Sequence, residues 1–122
     1  MSARRLMAAL ALVVAVVGIG ASSVLGARSG TQTTTVKVKA GVGGALKFSL
    51  SRRSAPHGTT VFVVTNVSSL PHDFLIAGKK TPVLSKGKTK AITVKLSKGK
   101  HAYKCTVDGH AAAGMKGTFT ST

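Results

Sequence analysis

From residue 35 onward, apolar residues recur at every second position, in short runs broken by glycine, proline and serine. TVKVKA (35–40) alternates valine with lysine. TKAITVKLS (89–97) sets Ile92, Val94 and Leu96 on one face against Thr93 and Lys95, and HAYKC (101–105) sets His101, Tyr103 and Cys105 against Ala102 and Lys104. An extended chain turns successive side chains to opposite faces, so this period gives each run one buried and one wet side. No long stretch after residue 30 carries the helical period, and the abundant valine and threonine suit a pleated surface. The chain is therefore predicted to be all-β, a Greek-key sandwich or barrel of about seven strands. With 122 residues it can build one core of ordinary size and not two.

The remaining strands are expected at ALKFSL (45–50), TTVFVVTN (59–66), HDFLIAG (72–78) and KGTFT (116–120), the last burying Phe119. TTVFVVTN is the most apolar and is predicted to be central, with bulk on both faces. GVGG (41–44) and SKGK (97–100) are turns, and SRRSAPHG (51–58) and KKTPVLSKGK (79–88) are loops. GVGG lacks the lysine and helix that a phosphate-binding loop needs.

Residues 1–27 read as an export signal: Arg4 and Arg5, an apolar run from Leu6 to Ile19, then small residues around Ala21 to Ser23. Cleavage fits after Ser23 or after Gly26. No charge interrupts residues 6–27, a length that also suffices to cross a bilayer, so membrane attachment through this segment is the alternative to removal. Residues 28–34 form a small-residue linker, and the domain occupies 35–122. In either case it works outside the cytoplasm, on the periplasmic or extracellular side.

The chain has 18 basic and 2 acidic residues, a net charge of +16. Such a balance favours acidic partners or an anionic envelope surface. It also protects strand edges and keeps a monomer soluble. Nucleic acid is not expected of an exported chain with 4% aromatic residues and no basic helix.

One cysteine in an exported chain cannot close an internal disulfide; it is buried and inert, paired with another molecule, or bound to metal. Cys105 begins CTVDGHAAAGMK, which also holds His110 and Met115, each directly preceded by a glycine that lets the loop turn sharply. A metal preferring thiolate, imidazole and thioether needs one more imidazole, and copper suits that set. His72, in PHDF after the central strand, is placed to supply it. Cys105 alone would read as a small buried hydrophobe and Met115 as core filling, but neither reading accounts for their joint occurrence with His72. His57 and His101 read as surface or structural residues.

HDF and YKCTVDGHAAAGMKGTF resemble the two copper-ligand segments of cupredoxins, the blue copper proteins, over essentially the whole chain after the linker. The resemblance implies one type 1 copper ion held by His72, Cys105, His110 and Met115. It also implies that Asp73 bonds Thr106 and steadies Cys105. The gaps around His110 are similar to those of rusticyanin. Where such loops usually have proline before Gly109 this chain has Asp108, which implies a less rigid loop with a carboxylate near His110.

A set of four such ligands leaves no position open for substrate, so an electron carrier is expected rather than an enzyme. The family passes electrons through the loop histidine, which makes Ala111, Ala112 and Ala113 the expected docking surface. The expected partner is an acidic redox protein such as a c-type cytochrome or a membrane oxidase domain. The competing reading is a copper-handling protein for storage or delivery, although methionine-rich and histidine-rich runs are missing: the methionines are Met1, Met7 and Met115.

Overall fold

The structure is a computed structural model, and it describes residues 32–122. The expected export segment and most of the linker lie outside these residues. Thr34, assigned to the linker from sequence, opens the first strand and is buried.

Among the described residues, nine strands form two packed sheets. They are β1 (Thr34–Ala40), β2 (Phe48–Leu50), β3 (Ser54–Ala55), β4 (Gly58–Asn66), β5 (Leu75–Ile76), β6 (Lys79–Lys80), β7 (Thr89–Leu96), β8 (Gly99–Lys104) and β9 (Lys116–Ser121). One sheet runs β2-β1-β4-β7 and the other β3-β9-β8-β5-β6. Each sheet contains one parallel pair, β1 with β4 and β3 with β9. Parallel neighbours cannot be joined by a hairpin, so the chain must leave the first sheet between β1 and β4.

The long alternating runs fold as their period predicts, and the differences lie in the short elements. Nine strands replace about seven because β3 and β6 are two-residue pairings inside segments read as loops. Such short strands carry no visible alternation and exist only because β9 and β5 lie beside them. Only Phe48–Leu50 of the 45–50 run is strand; a 3-10 turn at Val42–Gly44 and the bend after it use up the rest. β4 is central, but for a different reason from the one expected. Thr60, Phe62, Val64 and Asn66 are buried while Val61 and Val63 are half-buried, so one face makes the core and the other stays partly wet.

Val36, Val38, Phe62, Val64, Val94 and Leu96 from one sheet meet Ile76, Tyr103 and Phe119 from the other, with Phe74 just ahead of β5. Edge-to-face aromatic pairs link the layers: Phe62 with Phe119 at 5.2 Å and Phe48 with Phe74 at 5.2 Å between ring centroids. Tyr103 lies over Gly117, its cross-strand partner, and a Cβ at residue 117 would come within 2.5 Å of the Tyr103 Cζ. Gly117→Ala is therefore expected to overpack this contact and cost about 1–3 kcal/mol in chemical denaturation. A smaller apolar cluster of Ala40, Cys105 and Met115, with Leu46, Phe48 and Val107 against it, lies apart from the main core.

Candidate metal centre

The site is built where β8 and β9 end. β8 stops at Lys104 and β9 starts at Lys116, and the amide of Cys105 donates to the Met115 carbonyl (3.0 Å), closing the base of the loop between them. Inside the loop, the amides of His110, Ala113 and Met115 donate to the carbonyls of Val107, Gly109 and His110. Gly109 (φ 77°) and Gly114 (φ 113°) take the backbone into the left-handed region where other residues are strained. Asp108 is exposed, and the turn over it closes through backbone bonds without a proline.

His72 comes from the other side. It pairs with Leu84 in an isolated antiparallel bridge: the His72 amide donates to the Leu84 carbonyl (3.2 Å), and the Leu84 amide to the His72 carbonyl (2.7 Å). This bridge stands just ahead of β5 and holds the imidazole 1% exposed. Its Nδ1 lies 3.2 Å from His110 Nδ1, and Cys105 Sγ lies 3.6 Å from the same His110 atom. One donor atom from each of the three residues falls within 4.8 Å of the others. Met115 is fully buried in the same cluster as Cys105. His110 is half-buried, Ala111 half-buried, and Ala112, Ala113 and Gly114 are exposed. His57 and His101 lie elsewhere, bonded through their rings to the carbonyls of Thr122 and Ser97.

The surroundings determine which atoms face inward. Ser68 Oγ bonds His72 Nε2 (2.8 Å), while the Ser68 hydroxyl can donate to Asn66 Oδ1 or the Leu70 carbonyl, both at 3.2 Å. With its hydrogen given to one of these oxygens, the Ser68 hydroxyl accepts from a protonated Nε2, the tautomer that leaves the Nδ1 lone pair toward His110 and Cys105. Asn66, also buried, donates to the carbonyls of Leu70 and Leu84, tying the His72 segment to its bridge partner. Gly41 (φ 81°) makes room for the pair: a Cβ there would lie 2.5 Å from Ser68 Oγ and 2.8 Å from His72 Nε2. Asp73, 1% exposed, accepts from the Thr106 amide (2.5 Å) and from the Thr106 hydroxyl, which joins the two segments directly after His72 and Cys105.

The sequence reading missed Gly41, Asn66 and Ser68. Asn66 and Ser68 look like ordinary turn residues, and Gly41 looks like one glycine among three in GVGG. Their roles arise only because the bridge folds His72 back onto them. The exposed apolar residues Val67 (42%), Leu70 (46%) and Val83 (58%) were missed too; they flank the His72 segment and its Leu84 bridge.

Burial, reinforced by the nearby His110 charge, pushes the His72 imidazole below its ordinary value of 6.5, with Asp73 opposing. Burial likewise pushes the Cys105 thiol above its ordinary 9.0, opposed by backbone amides of Asp73 and Val107. In the metal-free protein a histidine buried neutral loses stability when acid protonates the unfolded chain more readily. A thiol buried neutral loses it when alkali ionises the unfolded chain more readily. Metal-free stability is thus expected to be greatest between pH 6.5 and 9.0 and to fall on both sides. Urea midpoints measured at pH 5, 7.5 and 10 will check this.

Three potential donor atoms that converge within 4.8 Å, with Ser68 at the far ring nitrogen of His72, complement a cation. A thiolate, two imidazoles and a buried thioether form the residue pattern of a type 1 copper site.

Residues 8–120 match the family model described as "Cupredoxin-like domain". No curated protein sequence matches the chain. Among solved structures, the chain is similar to auracyanin A of Chloroflexus aurantiacus, described as a "blue" copper protein. That match has 18% identity and a TM-score of 0.62, over 75% of this chain and 100% of that one. It is similar to rusticyanin from Thiobacillus ferrooxidans at 22% identity and a TM-score of 0.63, over 77% and 79% of the two chains. It is also similar to a copper nitrite reductase from Nitrosomonas europaea at 18% identity and a TM-score of 0.57, over 74% of this chain and 41% of the enzyme.

Proposed function

The chain belongs to the cupredoxin family, and we propose that it is an exported carrier of single electrons. His72, Cys105, His110 and Met115 are the proposed ligands of one copper ion. The observation that carries this reading is the convergence of Nδ1, Sγ and Nδ1 from His72, Cys105 and His110 within 4.8 Å, beside a buried Met115. Bound copper would supply a one-electron couple, Cu(I) and Cu(II).

The protein supplies the rest. The Asn66–Ser68–His72 bonds and the Asp73–Thr106 clamp hold the ligands in one arrangement, so little has to move when charge changes. Burial of His72, Cys105 and Met115 excludes water from three sides, and half-buried His110 forms the exit to the surface. The small residues Ala111 to Ala113 let a partner approach that histidine closely. The flanking apolar residues Leu70 and Val83 extend the contact, and the basic surface favours an acidic redox partner in a small, short-lived complex. The match to the nitrite reductase covers 41% of that enzyme, and this chain has one cysteine and one cluster of metal-binding side chains among its described residues. An electron-transfer role therefore fits it better than catalysis.

Adding Cu(II) to the purified protein should produce the intense blue thiolate-to-copper absorption of a His₂Cys site, bleached by ascorbate and restored by ferricyanide. A colourless complex would overturn the type 1 reading. A blue complex that cannot be cycled would overturn electron transfer and leave copper storage or delivery.

A further inference from the structure

On the outer face of the five-stranded sheet lies a groove of about 710 Å³, lined by Leu75, Ala77, Ala102, Lys104, Lys116 and Thr118 among others. Strand register puts Lys80, Leu75, Lys104 and Lys116 side by side across β6, β5, β8 and β9. Directly opposed residues share a face, so this row sets three ammonium groups around one leucine. Strands stand about 4.8 Å apart, which makes Lys104 and Lys116 immediate neighbours. Like charges placed so are destabilising.

Nothing on these strands offsets that cost. The chain has two acidic side chains: Asp73 is buried against Thr106, and Asp108 is in the loop after β8. The adjoining row, Ala102 opposite Thr118, is small, which leaves a depression beside the lysines. An apolar floor with a basic rim is complementary to carboxylates carried on a segment that also has an apolar side chain.

We propose that this groove is a second docking surface and that its occupant is an acidic segment of a partner protein. Carboxylates of that segment meet Lys80, Lys104 and Lys116, and an apolar side chain rests over Leu75 and Ala102. The surface is separate from the loop tip, since Ala111, Ala112 and Ala113 do not line the groove. It is nonetheless tied to the site: Lys104 directly precedes Cys105 and Lys116 directly follows Met115. A partner held here is in contact with the two strands that flank the sulfur ligands, while the His110 face stays free for another. Binding requires no copper, so its failure would be distinguishable from failure of the copper reading.

The test is a ¹H–¹⁵N titration of the metal-free full chain with an acetylated Glu-Glu-Leu-Glu-Glu amide. Saturable shifts are expected to be largest at Leu75, Ala102, Lys104 and Thr118, and to weaken as salt rises. The double variant Lys104→Glu/Lys116→Glu should lower affinity about tenfold, and Lys80→Glu alone should lower it several-fold without altering the strands that flank the sulfur ligands. Lys37→Glu/Lys39→Glu makes the same charge change on β1 in the other sheet and should have about a twofold effect or less. Equal losses from the two double variants would show general attraction to a basic domain and overturn the proposal. So would shifts centred on the His110 loop.

Discussion

Asp73→Ala is expected to destabilise the metal-free protein by about 3 kcal/mol, because hydrogen bonds to a charged group contribute about 1.5–3 kcal/mol each and a stranded partner adds a desolvation cost. Asp73 is 1% exposed and takes both donors of Thr106, amide and hydroxyl. Alanine leaves the amide without its partner, at the position directly after Cys105. For a domain of this size the change corresponds to a fall in Tm of about 15 °C. Asp73→Asn keeps one acceptor oxygen and should recover about half of the loss. Thermal and urea unfolding of the three proteins gives the comparison; a loss below about 1 kcal/mol for alanine would show that the clamp does not hold the two segments together.

Gly41→Ala is expected to weaken copper binding about 10–100-fold, the range seen when the partner of a metal-bound histidine is disturbed. The methyl group would fall 2.5 Å from both Ser68 Cβ and Ser68 Oγ and 2.8 Å from His72 Nε2, so either the serine or the imidazole must move. Backbone strain adds to this, since Gly41 has φ 81° and an alanine there costs about 1–2 kcal/mol. Gly43→Ala separates the two effects. It has φ 66°, but open space where its Cβ would stand, so it should show the stability loss with copper affinity unchanged. Competition against a chelator of known affinity measures one effect and urea unfolding the other. Equal affinity losses in both variants would mean that crowding at His72 is not the cause.

These two predictions mark different depths of legibility. Asp73 and Thr106 could be paired from the sequence, because the resemblance of HDF and YKCT to cupredoxin segments carried the contact with it. Ser68, Asn66 and Gly41 could not, because a serine four residues before a histidine is not a signal until the chain between them folds back. The same holds for the groove: Lys80, Lys104 and Lys116 are scattered in sequence and become one row only through the pairing of β6, β5, β8 and β9.

The order of the long strands' faces was settled by the sequence itself. Tyr103 and Cys105 point inward because they alternate with Ala102 and Lys104, and alternation is a local property of an extended backbone. Three of the four proposed ligands were visible for another local reason: Cys105, His110 and Met115 lie in one short loop between two alternating runs. Only the tertiary structure decided what depends on distant partners. It placed Thr34 in a strand, made strands of Ser54–Ala55 and Lys79–Lys80, and left β4 with one half-buried face. It brought His72 to within 3.2 Å of His110 from 38 positions away along the chain. Two-residue strands and convergent donor atoms have no period of their own; backbone pairing and core packing across the chain create them, and neither is written in any single segment.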